Sequence, residues 1–132
     1  MSRLLVDTSA YTAFMRDHPD IRETLEHADQ ICVSPIVLGE LHAGFKRGTR
    51  QSENERRLSR FLSSPRVHVA GIDDETALAY AEILNFLRSG GLPIPTNDIW
   101  IAAGAMQHGL RVLTTDAHYK RIPQVIVEFH PV

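Results

Sequence analysis

Four acidic side chains, Asp7, Glu40, Asp98 and Asp116, stand where a water-soluble fold has no structural use for a charge. Asp7 closes the apolar run Leu4-Leu5-Val6, and Asp116 closes Val112-Leu113-Thr114-Thr115, so both are expected at the carboxyl ends of strands. Glu40 and Asp98 fall inside helical stretches, on the apolar side. At about 100° per residue, Glu40 projects between Ile36 and Val37, within the arc that also carries Leu38, Leu41 and Phe45. Asp98 falls among Ile101, Ala102, Ala105 and Met106, with Gln107 on the other side. A buried carboxylate protonates, pairs or binds a metal, because its desolvation must be offset. For any one of these acids an ion pair or a cap hydrogen bond would suffice; the set of four describes a site for a hard divalent cation.

The elements that must position these acids alternate along the chain. Strands are expected over Arg3 to Val6, Gln30 to Val33, Val67 to Val69, Arg111 to Thr115 and Val125 to Phe129. Helices are expected over Ala10 to Met15, Ile21 to His27, Pro35 to Phe45, Glu53 to Leu62, Glu75 to Arg88 and Asn97 to His108. Ser34 followed by Pro35 is a strong helix start, since Ser caps and the N–H that Pro lacks would be unpaired there. Thr96 after Pro95 is the corresponding start for the helix of Asp98. This order implies an α/β fold with a mostly parallel sheet of about five strands, whose carboxyl rim is where ligands bind.

The 132 residues are enough for one domain spanning 1–132 with a full core, and neither a metal nor a disulfide is needed merely to fold it. The only cysteine, Cys32, sits in the apolar run Ile31-Cys32-Val33 and reads as a small buried hydrophobe. No basic segment followed by an apolar run opens the chain and no stretch approaches a membrane span, so a cytoplasmic protein is expected. Gly90-Gly91-Leu92-Pro93-Ile94-Pro95 is a loop delivering Asp98, not a domain boundary. There is no internal repeat and no low-complexity tract.

The stretches Leu5-Val6-Asp7-Thr8-Ser9-Ala10, Ser34-Pro35-Ile36-Val37-Leu38-Gly39-Glu40-Leu41, Asn97-Asp98-Ile99-Trp100-Ile101-Ala102-Ala103 and Leu113-Thr114-Thr115-Asp116 resemble, in order and separation, the four acidic motifs of the PIN-domain ribonucleases. Within that family the chain is similar to the VapC toxins of toxin–antitoxin pairs. The resemblance implies a PIN-like α/β/α sandwich and hydrolysis of RNA phosphodiesters with Mg²⁺ or Mn²⁺. Asp7, Asp98 and Asp116 would be the direct ligands, and Glu40 a ligand or a base acting through water. Ser9, Asn97 and Thr114 would orient those carboxylates, although Ser9 and Asn97 could equally cap helices. The resemblance further implies a VapB-like antitoxin partner and a homodimer or a toxin–antitoxin hetero-oligomer. Of the seven histidines only His42 and His118 lie close to a motif acid, and none shows zinc-site spacing.

A net charge of −2 hides a basic segment: Lys46, Arg47, Arg50, Arg56, Arg57 and Arg60 are six of the fourteen cations, opposed there only by Glu53 and Glu55. Beside an acidic metal pocket, such a flank suits RNA or a partner; the plain alternative is a solvated helix face. A second class of function is a catalytically weak PIN-like protein- or RNA-binding module, for whose protein contacts Leu38, Phe45, Leu58, Phe61 and Leu62 offer apolar material that is otherwise ordinary core. Other phosphate chemistries fit worse, since a DxDxT start would need an acid at Ser9 and no GxxxxGK[ST] loop is present.

Overall fold

The computed structural model describes residues 2–132. Five strands, β1 (Arg3–Val6), β2 (Gln30–Val33), β3 (Val67–Val69), β4 (Arg111–Thr114) and β5 (Val127–Phe129), form one sheet in the order β3-β2-β1-β4-β5. All four pairings are parallel, with Leu5 facing Cys32 on one side and Val112 on the other. The expectation of a mostly parallel sheet is thus met in its strictest form. Six helices connect the strands: α1 (Thr8–Met15), α2 (Pro19–His27), α3 (Pro35–Arg47), α4 (Gln51–Leu62), α5 (Asp74–Ser89) and α6 (Thr96–His108). Right-handed crossovers place the helices serving β1, β2 and β3 on one face and those between β3 and β4 on the other, giving an α/β/α sandwich.

Central position explains the sequence of β1. Both its faces are covered, so Leu4, Leu5 and Val6 are all buried in an unbroken apolar run rather than an alternating one. The chain leaves β1 in one direction through β2 and β3, then returns to place β4 on the other flank. That reversal opens the sheet between β1 and β4 at their carboxyl ends, directly after which Asp7 and, two residues beyond the strand, Asp116 follow.

Element ends departed from expectation where side chains captured backbone groups. β4 stops at Thr114 rather than Thr115, because the N–H of Thr115 donates to Ser9 Oγ (3.1 Å) and that of Asp116 donates to Thr114 Oγ1 (2.9 Å) instead of to the ladder. Val125 turns back on Ile122 and so lies outside β5, while Ile126 is 66% exposed. Thr96 does not cap α6: Pro95 occupies the N-cap and Thr96 is the first helical residue. Ser34 caps α3 as expected, accepting from the N–H of Ile36. Gly109 ends α6 in the left-handed conformation (φ +65°), which lets Leu110 donate back to Ala105 and the chain enter β4 directly.

Much of the apolar material that α3 and α4 offer belongs to the core. Leu58 is fully buried, and Leu38, Phe45, Phe61 and Leu62 pack against the core half-buried. Phe61 also meets the rings of Tyr11 and Phe14. Met106, expected beside Asp98, is instead 38% exposed. No helix among the described residues is long and apolar enough to cross a membrane.

Candidate active site

Asp7 is buried, and hydroxyl groups satisfy its charge. It occupies the N-cap position of α1, yet its carboxylate forms no cap hydrogen bond. Oδ2 instead accepts from Ser9 Oγ (2.6 Å) and Thr114 Oγ1 (2.9 Å), and Oδ1 accepts from the Tyr119 hydroxyl (2.9 Å). Ser9 and Thr114 are oriented in turn, each accepting a backbone N–H from the turn after β4. Each hydroxyl therefore has its lone pair engaged and its single proton directed at Asp7. Ser9, expected as an orienting group or a cap, makes its hydrogen bond to Asp7 rather than to the helix start, and Thr114 donates to the same carboxylate oxygen.

Tyr119 was not legible as a site residue. It lies in a short 3-10 helix (Ala117–Arg121) within a polar stretch, but its side chain is fully buried and its hydroxyl reaches both Asp7 and, at 3.4 Å, Asp98 Oδ1. Burial, together with the charges of Asp7 and Asp98, pushes its hydroxyl far above the ordinary tyrosine range, so it remains a proton donor. The only cue in the sequence is a lone aromatic three residues after the fourth acid.

Asp98, in the first turn of α6, is shifted up to about 6. Burial is the largest cause, followed by repulsion from Asp7, Asp116 and Glu40; the hydrogen bond from Tyr119 opposes it. All four acids therefore act on one another at the β1–β4 rim. Asp116 accepts from the N–H of His118 (2.9 Å), capping the 3-10 helix. One ligand atom each from Asp98, Asp116 and His118 lies within 4.8 Å of the other two. His118 Nδ1 is 3.2 Å from Asp116 Oδ1 and 3.6 Å from Asp98 Oδ2, yet it is buried and aligned with neither oxygen for a hydrogen bond. Crowded carboxylates, one of them disfavoured in its charged form, and a ring nitrogen without a partner are what a divalent cation would relieve.

Glu40 joins from α3. Its Oε1 accepts from Thr8 Oγ1 (2.6 Å) and its Oε2 from Asn97 Nδ2 (3.3 Å), which ties α1, α3 and α6 together at the rim. Asn97, expected to orient a carboxylate or to cap a helix, lies past the Pro95 N-cap and donates to Glu40. Thr8 escaped sequence reading because it looks like an ordinary first-turn residue. His42 points away from the acids and pairs with Glu55 of α4 (2.8 Å).

The basic segment divides. Lys46 and Arg47 are exposed at the end of α3, and Arg56 and Arg60 are exposed on α4. Arg57 turns toward α1, donates to the Met15 carbonyl (3.2 Å), and with Arg50 lines a cavity beside Tyr11. A cavity of about 900 Å³ runs along α5 and α6 and touches none of the four acids. The acidic centre is marked out by its chemistry.

The family described as PIN domain matches residues 4–125. Ribonuclease VapC4 of Mycobacterium tuberculosis is 36% identical over 127 residues, covering 95% of each chain. Among solved structures, VapBC2 from Rickettsia felis bound to a DNA fragment from its promoter superposes with a TM-score of 0.84 at 29% identity, covering 95% of this chain and 96% of that one. The DNA-bound VapBC of Salmonella typhimurium gives a TM-score of 0.86 at 28% identity, over 97% and 98% of the two chains.

Proposed function

This chain belongs to the PIN domain family, and from that membership we propose that it is the endoribonuclease toxin of a type II toxin–antitoxin pair, acting as one nuclease domain over residues 1–132. The observation that carries the reading is the convergence of Asp7, Glu40, Asp98 and Asp116, from four different elements, on the opening between β1 and β4. A protein-binding module would have no need of a carboxylate destabilised in its charged form by three others.

The residues fit a divalent cation, with Asp98 and Asp116 as ligands from the tightest part of the cluster and Asp7 and Glu40 completing the acidic shell. Mg²⁺ or Mn²⁺ suits this oxygen-rich set. When bound, such a cation supplies Lewis-acid stabilisation of charge on the scissile phosphate and activates water for in-line attack. The chain does the positioning. Ser9, Thr114 and Tyr119 hold the Asp7 carboxylate in one orientation, and Thr8 and Asn97 hold Glu40. Because Tyr119 keeps its proton, it can donate to Asp7 and Asp98 but cannot accept the proton of the attacking water. Glu40, less deeply placed, is the carboxylate able to take that proton. Cleavage in this manner leaves a 5′-phosphate and a 3′-hydroxyl.

The partner is a VapB-like antitoxin, and the working assembly is a homodimer or a toxin–antitoxin hetero-oligomer in the cytoplasm. Leu78 (71% exposed), Phe86 and Met106 border the groove along α5 and α6 and offer an apolar face for such assembly. Co-expression with a candidate VapB-like antitoxin tests this: a stable complex without nuclease activity is expected, and a tight complex that still cleaves RNA would overturn antitoxin control.

A further inference from the structure

A second polar site lies one helical turn along α1 from the acidic centre. Thr8 contacts Glu40, and Thr12, four residues on and therefore on the same face, lines a cavity of about 320 Å³ between α1, α3 and α4. Tyr11, Arg16, Arg50 and Arg57 also line it, and no carboxylate does. Tyr11 is 3% exposed, yet its hydroxyl is buried without any hydrogen-bond partner. A buried hydroxyl without a partner is costly, so native structures rarely leave one unless something else satisfies it. Burial raises the Tyr11 hydroxyl above its ordinary range while the nearby charge of Arg57 pulls it down, which places the phenol beside the guanidinium and keeps it a donor. Arg57 spends one N–H on the Met15 carbonyl; among the described residues, none of the three arginines is paired with an acid.

Every charged group lining this cavity is an arginine, with the Asn54 amide and the Thr12 and Tyr11 hydroxyls as its neutral polar groups, so its ligand carries negative charge. Met15 and the ring of Phe45 form an apolar wall on the same cavity. Donors on one side and an aromatic surface on the other match a nucleotide, whose phosphate takes the arginines and whose base rests on the ring. The continuous polar edge of α1 from Thr8 to Thr12 leads from the acidic centre to this cavity, the direction a single strand would follow.

We propose that the Tyr11–Arg16–Arg50–Arg57 cavity binds a backbone phosphate of the RNA flanking the scissile linkage. This rests on the ribonuclease reading and deepens it by fixing where the strand leaves the acidic centre. It also divides the basic segment: all four arginines are exposed, but Arg50 and Arg57 line the cavity beside Tyr11 and Arg56 and Arg60 do not.

The test uses a labelled single-stranded oligouridylate and full-length protein carrying Asp98→Asn to prevent cleavage, with binding followed by fluorescence anisotropy across a salt series. Arg50→Gln with Arg57→Gln should lower the slope of log affinity against log salt by about 0.7, the value for one phosphate of a single strand, and weaken binding at least tenfold near physiological salt. Tyr11→Phe keeps shape and charge, so it should leave the slope unchanged, weaken binding by several-fold to about tenfold, and leave the melting temperature unchanged or higher. Arg3→Gln, at the amino end of β1, serves as the charge-matched control. If the double variant and Tyr11→Phe both bind with the parent's affinity and slope while wild type cleaves RNA, the cavity assignment is overturned and the ribonuclease reading stands. If RNA binding is unchanged but antitoxin binding weakens, the occupant is an acidic protein segment and the RNA assignment is overturned. If wild type neither binds nor cleaves RNA, the ribonuclease reading itself fails.

Discussion

Replacing Asp98 by Asn should make the metal-free protein more stable while removing its activity. Asp98 is shifted from 3.8 to about 6, chiefly by burial and then by the charges of Asp7, Asp116 and Glu40. A carboxyl that holds its proton more tightly in the folded state than in the unfolded state stabilises the fold at low pH, and that contribution is lost as pH rises from 3.8 to about 6. The interval corresponds to on the order of 3 kcal/mol. Asn presents nearly the same shape and still accepts from Tyr119, but it carries no charge to desolvate or repel. Thermal unfolding in EDTA should therefore show little difference between variant and wild type below about pH 4. The variant's advantage should grow through pH 5 and level off above about pH 6, at roughly 3 °C or more for each kcal/mol. Added Mg²⁺ should reverse the order, since a cation stabilises the wild type by binding only its folded state. A variant no more stable than wild type at pH 8 in EDTA would refute the claim that Asp98 is held at a cost by its three neighbours.

Tyr119→Phe removes one of three donors to buried Asp7 and should cost about 1–3 kcal/mol of stability, measured by urea unfolding, together with most of the activity. Thr8→Val should leave stability within about 1 kcal/mol but lower kcat, because Glu40 loses its 2.6 Å tether to α1. Metal affinity should weaken about tenfold for each pH unit below about 6, as protons compete for Asp98, and calorimetric titration with Mn²⁺ would show this. His42→Gln should leave RNA cleavage near the wild-type rate, because its ring pairs with Glu55 and not with the acids.

The strand segments and the acidic motifs could be read from sequence for one reason: in a parallel sheet the strands are buried on both faces, so apolar runs are continuous and an acid ending one stands out. Leu4-Leu5-Val6-Asp7 and Val112-Leu113-Thr114 show this most clearly. Helix phase likewise put Glu40 and Asp98 on inward faces. Thr8 and Tyr119 were hidden because their importance is tertiary. Nothing local distinguishes a first-turn Thr that meets Glu40 across 32 residues, or a Tyr in a polar stretch whose hydroxyl meets Asp7 across 112. The end of β4 was misjudged for a related reason, since Ser9 and the side chain of Thr114 take the backbone groups that Thr115 and Asp116 would have offered to the sheet. The basic segment looked uniform because periodicity on α4 does not reveal that Arg57 faces the end of α1.

The central claim is that the four acids form a divalent-cation centre that cuts RNA. The most direct test is to incubate purified wild type, Asp7→Asn and Asp98→Asn with total RNA, with Mg²⁺ or with EDTA, and to sequence the new ends. Wild type with Mg²⁺ should yield discrete fragments with 5′-phosphates, and none should arise in EDTA or from either variant folded at matched purity. Cleavage by wild type that persists in EDTA, or full activity in Asp98→Asn, would contradict the claim.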